Sequence, residues 1–343
     1  MGIREIAKKA GVSVATVSRT VNRVRSVSPG IAAKVWSAIE EVGYVPNTQA
    51  RSLVSGRSRI LGLIVSDITN PFFPELIQGF EQVAVRAGFE VLLGSTNYDP
   101  AVMASVVRRM VERKVEGVAV MTSEMEGSLL EQLTDRHIPL AFVDVAPLAP
   151  HISNICVNYE VGLRQAVQHL LRHGHRRLAF ISGPLTLKSA RLRLDAFLAC
   201  LNETHLDTAP PLVLGGDHTL DAGFNAVQQL LSASNRPTAV MCSNDLTAIG
   251  VLRGLDAEGL RAPRDMSVIG FDDIHMAQFT LPPLTTVRLS RLDLAGLALE
   301  ALIANIGAAT ASEGATYHLE TRLIVRGSTA RVEAVDRLKG ARR

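Results

Sequence analysis

The stretch Ile3-Arg4-Glu5-Ile6-Ala7-Lys8-Lys9-Ala10-Gly11-Val12-Ser13-Val14-Ala15-Thr16-Val17-Ser18-Arg19-Thr20-Val21-Asn22 decides how this chain begins. Ile6 and Ala10 share one face of a first helix, and Gly11 breaks it. Ser13 can cap a second helix, whose Val17 and Val21 turn back onto the first. That is the pattern of a helix-turn-helix. Two short helices crossing steeply leave the outer face of the second free to enter a DNA major groove.

Working outward, Ser28 and Pro29 supply an N-cap and a first helical position for a third helix. Its stripe is Ile31, Val35, Ala38, Ile39 and Val42, and Gly43 ends it. Trp36, the single tryptophan, reads as a packing residue rather than a DNA contact. On the second helix Val14, Ala15 and Arg19 are best placed to reach base edges. Arg19 can fork onto guanine O6 and N7, while Val14 and Ala15 offer apolar contact such as a thymine methyl. Ser13, Thr16, Ser18 and Asn22 suit phosphates, which fix register without carrying sequence information.

The charge distribution agrees. Through Ile60 ten basic residues stand against three acidic ones, a net +7; the whole 343-residue chain carries +3, which leaves −4 for the rest. A basic head on a mildly acidic body is the footprint of a DNA-binding module joined to something that does not bind DNA. At 47% hydrophobic and 20% charged the chain has material for two or more cores. Cys156, Cys200 and Cys242 are odd in number and without CxxC spacing, as expected of packing cysteines in a reducing compartment. The opening Gly2-Ile3-Arg4-Glu5 is not an apolar signal region, and no run of about 18 apolar residues occurs. A cytoplasmic protein with no membrane partner is expected.

Thr48-Gln49-Ala50-Arg51-Ser52-Leu53-Val54-Ser55-Gly56 is a short stretch of fair helix formers closed by glycine. Isolated helices below roughly 12–15 residues rarely persist in water, so this one needs a partner. If two copies meet over DNA, Leu53 is the residue expected to wedge between base steps in the minor groove. The alternative is a linker whose Leu53 packs on the next domain.

These residues resemble the lactose-repressor/galactose-repressor (LacI/GalR) family. Gly11-Val12-Ser13-Val14-Ala15-Thr16-Val17-Ser18-Arg19 is similar to its recognition-helix motif. Gly43-Tyr44-Val45-Pro46-Asn47 with Ala50-Arg51-Ser52-Leu53 is similar to its hinge. The resemblance implies that Asn47, Ala50 and Leu53 join the DNA-binding set, with Leu53 as the minor-groove leucine.

From Arg59 onward apolar strand-like runs at 60–66, 90–96, 117–122, 140–145, 178–183, 239–243 and 267–271 alternate with amphipathic helices. Such alternation implies right-handed βαβ units and doubly wound sheets. There are too many strands for one small sheet, and residues 154–158 sit midway, so two similar lobes are expected. Ligands of such sheets sit beyond the carboxyl ends of the strands, here in the cleft between lobes. At those ends stand Asp67-Ile68-Thr69-Asn70-Pro71-Phe72-Phe73, Thr122-Ser123, Asp144, Ser189 with Arg193, Asn244-Asp245 and Phe271-Asp272-Asp273. An Asp and an Arg facing each other across a cleft can hold hydroxyl or amide groups while a phenylalanine face covers the ligand's apolar side. Each taken singly is equally well a cap or turn residue.

The body is also similar to the family's periplasmic-binding-protein-like core, through Asn70-Pro71-Phe72-Phe73, Gly174-His175-Arg176-Arg177, Ser189-Ala190-Arg191-Leu192-Arg193-Leu194, Arg236-Pro237-Thr238-Ala239-Val240, Ser267-Val268-Ile269-Gly270-Phe271-Asp272-Asp273 and Pro283-Leu284-Thr285-Thr286-Val287. The resemblance implies effector contacts from Phe72, Asp144, Ser189, Arg193, Asn244 and Asp272, together with Asn70 and Thr122. One departure is visible: many relatives carry an aromatic residue after Gly-Asp, where this chain has Gly216-Asp217-His218-Thr219. His218 argues against a two-sided aromatic clamp.

The expected architecture is α/β: a helix-turn-helix head at 1–45, a hinge helix and linker at 46–58, and a two-lobed core at 59–343. Its N-lobe is drawn from about 59–158 plus 288–322, its C-lobe from about 159–287 plus 323–335. His169 and His173 have a metal-ligand spacing, but no neighbouring Cys or carboxylate completes a site, and cationic histidines suit a helix C-terminus. No Walker, G-x-G-x-x-G or G-x-S-x-G loop occurs. Asp272 and Asp273 are adjacent and point apart. No cofactor, metal or enzymatic activity is expected. A periplasmic solute-binding protein would share the body but has no use for the basic head. The expected function is a homodimeric transcriptional regulator, a repressor, that binds a pseudo-palindromic operator and answers to a small effector. A sugar or sugar derivative fits first, a nucleoside or purine second. The tail at 331–343 lacks heptads, which favours a dimer over a tetramer.

Overall fold

The computed structural model describes residues 2–21, 27–44, 57–122, 125–144, 149–203, 210–307 and 313–332. Asn22, Asn47, Ala50 and Leu53, and with them the expected hinge helix, lie outside these residues. The chain divides into two compact units, Met1–Arg59 and Ile60–Arg343.

In the first unit α1 (Ile3–Ala10), α2 (Val14–Val21) and α3 (Pro29–Val42) enclose a small core of Ile6, Ala7, Val17, Val35, Ala38 and Ile39. Gly11 ends α1 in the left-handed conformation, φ +67°, which a side chain would strain. Ser13 Oγ accepts from the Thr16 amide at 3.1 Å, so it caps α2. Gly43 closes α3 at φ +62°. Three details differ from the sequence reading. Ser28 occupies the N-cap of α3 but makes no side-chain cap. Ile31 is exposed rather than part of the seam, because it lies in the first turn of α3, beyond the reach of α1 and α2. Trp36 is likewise outside the core, on the outer face of α3.

The second unit carries two six-stranded sheets. The first is built from β1 (Ile60–Val65), β2 (Glu90–Ser95), β3 (Gly117–Met121), β4 (Leu140–Val143), β5 (Ile152–Asn158) and β11 (Thr316–Glu320), in the order β11-β5-β4-β3-β1-β2 and parallel throughout. The second orders β12-β10-β9-β8-β6-β7, from β6 (Leu178–Ile181), β7 (Leu212–Leu214), β8 (Ala239–Cys242), β9 (Ser267–Asp272), β10 (Thr285–Arg288) and β12 (Arg322–Ile324). Only the β10–β12 pair is antiparallel there. The helices that bear on the site are α4 (Phe72–Arg86), α5 (Pro100–Glu112) and α6 (Gly127–Thr134) beside the first sheet, then α7 (Tyr159–Arg172), α8 (Lys188–Glu203), α9 (Leu220–Ser232) and α10 (Asp245–Ala257); α11 (Arg291–Asn305) returns to pack on α4.

The strands are near-continuous apolar runs because helices cover both faces. In each sheet the chain steps one way and then back past its starting strand: β1 to β2 and then β3, β6 to β7 and then β8. The loops leaving these strands diverge there and open a crevice at the carboxyl ends.

Candidate functional site

That crevice holds a cavity of about 90 Å³, and all eight expected effector residues line it: Asn70, Phe72, Thr122, Asp144, Ser189, Arg193, Asn244 and Asp272. They come from the ends of β1, β3, β4, β8 and β9, from the first turn of α4 and from the first two turns of α8. Tyr98, Lys188, Tyr159 and His218 line it as well. The strand-end rule that found Asn70 also covers Tyr98, a few residues past β2; Lys188 precedes Ser189 on the same turn. Tyr159 carried no signal, since a lone tyrosine opening a helix reads as packing.

Arg193 and Asp272 are the electrostatic centre. They pair at 3.3 Å with little exposure of either side chain. Since α8 and β9 both belong to the second sheet's half, this pair forms one wall, and the carboxylate that lines the cavity with Arg193 from the first sheet is Asp144, at the end of β4. Arg193 Nη1 also donates to the Ser243 carbonyl at 2.6 Å, and its guanidinium lies 4.0 Å from the centre of the Phe271 ring. Its Nε is buried without a hydrogen-bond partner among the described residues. Burial outweighs the Arg193 charge and pushes the Asp272 carboxyl up to about 6. Asp272 has φ +108° and Asp273 φ +57°. The two do point apart: Asp273 binds Arg288 at 2.5 Å and Arg326 at 2.6 Å, away from the pair with Arg193. Behind them buried Asp245 accepts from Thr286 Oγ1 at 2.5 Å and from the Ile274 amide at 2.8 Å.

Two of the expected contacts are also local structure. Asn244 caps α10, accepting from the Thr247 amide at 3.0 Å, while its Nδ2 donates to the His218 carbonyl at 2.9 Å. Asp144, at φ +60°, accepts from the Val157 amide at 2.8 Å and from the Tyr159 hydroxyl at 2.7 Å. Burial raises the Asp144 carboxyl above its ordinary range despite those donors. Asn70 Oδ1 accepts from the Phe72 amide at 3.1 Å, a short turn that starts α4 and places the Phe72 ring at the cavity.

His218 sits at φ +69° with Nε2 2.9 Å from Ser243 Oγ. Burial lowers it to about 3, so the ring is neutral. A Cβ on Gly183 would lie 1.9 Å from His218 Nε2, which is why glycine follows β6 here. The position after Gly216-Asp217 thus gives the cavity a neutral imidazole.

In the first unit Val14, Ala15 and Arg19 are exposed on α2. Ser13 Oγ and Thr16 Oγ1 are 2.9 Å apart, and Ser18 is half-buried. Lys9 pairs with Glu41 at 2.8 Å, so its charge is already partly compensated. His169 is not the cation expected near a helix end: burial lowers it to about 4, and Nε2 lies 2.9 Å from Thr329 Oγ1. No cluster of His, Cys, Asp and Glu among the described residues is suited to a metal ion. No helix among them is long and apolar enough to cross a membrane.

A basic helix-turn-helix unit and a two-sheet core with a polar cavity at its strand ends define a ligand-controlled DNA-binding regulator. Comparison with known proteins gives the family. Residues 2–47 match bacterial regulatory proteins of the lacI family, and residues 167–329 match a periplasmic binding protein-like domain. The ribose operon repressor of Escherichia coli K12 is 36% identical over 306 residues, covering 89% of this chain and 92% of the relative. The transcriptional repressor PurR of Aliivibrio salmonicida is 32% identical with the same two coverages. The crystal structure of the lac repressor dimer bound to operator and the anti-inducer ONPF superposes with a TM-score of 0.82 at 28% identity, covering 96% of this chain and 99% of that one. A ribose-bound lacI-family regulator of Enterococcus faecium gives 0.71 at 26% identity, covering 79% and 99%. The chain belongs to the lacI family of bacterial regulatory proteins. It is a DNA-binding transcriptional repressor and not an enzyme.

Proposed function

We propose that a sugar or sugar derivative bound in the polar cavity sets the affinity of this repressor for a pseudo-palindromic operator. The observation that carries the reading is the convergence on one cavity of eight residues drawn from separated parts of the sequence, around a buried Arg193–Asp272 pair. Charge-assisted hydrogen bonds from such a pair suit ligand hydroxyls, and the Phe72 ring suits the apolar face of a sugar. Ribose is bound in the Enterococcus faecium relative, which supports the same class here. A flat nucleoside or purine against Phe72 is the second reading.

On the DNA side Arg19, Val14 and Ala15 read base edges; Ser13, Thr16, Ser18 and Asn22 hold phosphates. Residues 46–58 are the hinge, where Asn47 and Ala50 touch DNA and Leu53 enters the minor groove. The protein acts as a homodimer in the cytoplasm. Self-association is supported by apolar side chains turned to solvent on the second sheet's half, Leu281 at 93% and Phe279 at 70% exposure. Effector binding changes the angle between the two sheets' halves, and so the spacing of the paired hinges and the population that holds the operator.

The test is a thermal-shift screen of monosaccharides and nucleosides on the full chain, since a specific ligand raises apparent stability by mass action. A sugar that shifts the wild type and fails to shift Ser189→Ala supports the site. Stabilisation by nucleosides alone selects the second reading, and no stabilisation by either class overturns both.

A further inference from the structure

A second, roomier space opens beside the polar cavity. It measures about 470 Å³ against about 90 Å³, roughly fivefold more, and the two share Tyr98, Thr122 and Leu187 as a common partition. Small-molecule sites run to about 300–1,000 Å³, so the outer chamber alone falls within that range. Its chemistry differs too. Met103, Met125, Leu129, Pro100 and Pro184 supply an apolar lining from α5, the segment just before α6, α6 itself and the loop after β6. The charged residues among its described lining are all acidic: Asp99, Glu126 and Asp217. Two of these are fixed at the rim by backbone donors, Asp99 by the Ala101 amide at 2.7 Å and Asp217 by the Thr219 amide at 3.0 Å. By contrast the inner cavity has Lys188 and Arg193 among its lining.

We propose that this chamber is a second subsite that takes an uncharged aromatic or apolar group. The effector is then a two-part molecule, a hydroxylated head in the polar cavity joined past Tyr98 to an apolar appendage. The placement of the head rests on the effector reading above; the chamber does not. An apolar lining gains from burying such a group, methionines adapt to its outline, and three carboxylates at the mouth oppose an anion. Free polar space of about 90 Å³ does not accommodate the whole of a larger ligand, whereas the shared partition lets one molecule occupy both.

Two measurements on the full-length protein test this. The first titrates the neutral dye N-phenyl-1-naphthylamine, whose emission rises in apolar surroundings, and its sulfonated relative 1-anilinonaphthalene-8-sulfonate. Saturable binding of the neutral dye is expected, at least tenfold tighter than the anion. Thr186→Trp, which fills the chamber from an exposed position, and Leu129→Trp, which fills it from α6, each weaken the neutral dye at least tenfold. Asn70→Ala in the polar cavity leaves it within twofold. Leu129 is buried, so Thr186→Trp decides if the other variant does not fold. No saturable binding, equal affinity for the anion, or indifference to Thr186→Trp overturns the subsite. The second compares monosaccharides with their own phenyl glycosides by calorimetry. The best sugar should gain at least tenfold from its phenyl group, and Thr186→Trp should remove that gain alone. A phenyl group that adds nothing overturns the two-part effector. Dye binding without any sugar binding supports the chamber and contradicts the proposed function instead.

Discussion

On the side of the polar cavity supplied by the second sheet, Arg193, Asp272, Asn244 and His218 are tied to one another or to nearby backbone at 2.6–3.3 Å. On the side supplied by the first sheet, Asn70 and Phe72 share one local turn, and Thr122 makes no side-chain hydrogen bond among the described residues. Asp144 is the exception there, held by Val157 and Tyr159. The second sheet thus presents a floor whose donors and acceptors are already oriented. The first presents a cover with polar groups left over. Changes in the floor should therefore cost stability as well as recognition, and changes in the cover should cost recognition alone.

The largest expected effect is Arg193→Ala. It strands a buried carboxylate, and breaking a buried pair in this way costs about 3–5 kcal/mol. Urea unfolding at pH 7 measures it, and a loss below about 1 kcal/mol would show that the floor is not held by this pair. Gly183→Ala comes next. The added Cβ meets the His218 ring, and overpacking of this kind costs about 1–3 kcal/mol. Combined with His218→Ala it should be non-additive by at least about 0.5 kcal/mol, because the clash is removed with the ring. Additive costs would place the strain elsewhere.

On the cover, Thr122→Val should leave the unfolding midpoint nearly unchanged while weakening the effector by one hydrogen bond, about 0.5–1.5 kcal/mol in a calorimetric titration. Equal losses of stability and affinity would erase the distinction between the two sides. A further effect is on pH. Asp272 rises from 3.8 to about 6 on folding, so the folded state binds its proton more tightly. Its contribution is fully present below about pH 4 and is lost as pH rises toward 6. Asp272→Asn should flatten stability across that window; an unchanged slope would assign the titration to another group.

The architecture was legible where a strand is a continuous apolar run. Seven strands of the core stood out, six of them because helices on both faces make them buried apolar runs and the edge strand β2 by its Val-Leu-Leu despite partial exposure, and the sequence ranges miss their ends by two residues at most. The edge strand β11, Thr-Tyr-His-Leu-Glu, buries only Leu319, and β12 is three residues long, so neither shows as a run. The strand β10 was hidden for the opposite reason: Thr285 and Thr286 are fully buried polar residues, satisfied by Ser328, Arg326 and Asp245, partners no periodicity reveals. The same limit applies to the site. Positions such as Asn70 and Asp272 follow from strand ends, but that Arg193 pairs on its own side of the cleft, and that a neutral His218 leans on Gly183, depends on contacts between distant segments. In the head, Ile31 and Trp36 show that a helical stripe says which face is apolar and not how far along the helix the neighbours reach.

Operator affinity of the full chain, measured by fluorescence anisotropy as a function of the sugar that stabilises it, tests the account most directly. A saturable change in operator dissociation constant is predicted, with its midpoint at the sugar's own binding constant and lost in Arg193→Lys, where the guanidinium that reaches both Asp272 and the Ser243 carbonyl is replaced by a point charge. The same operator affinity at every concentration of a sugar that demonstrably binds would contradict it.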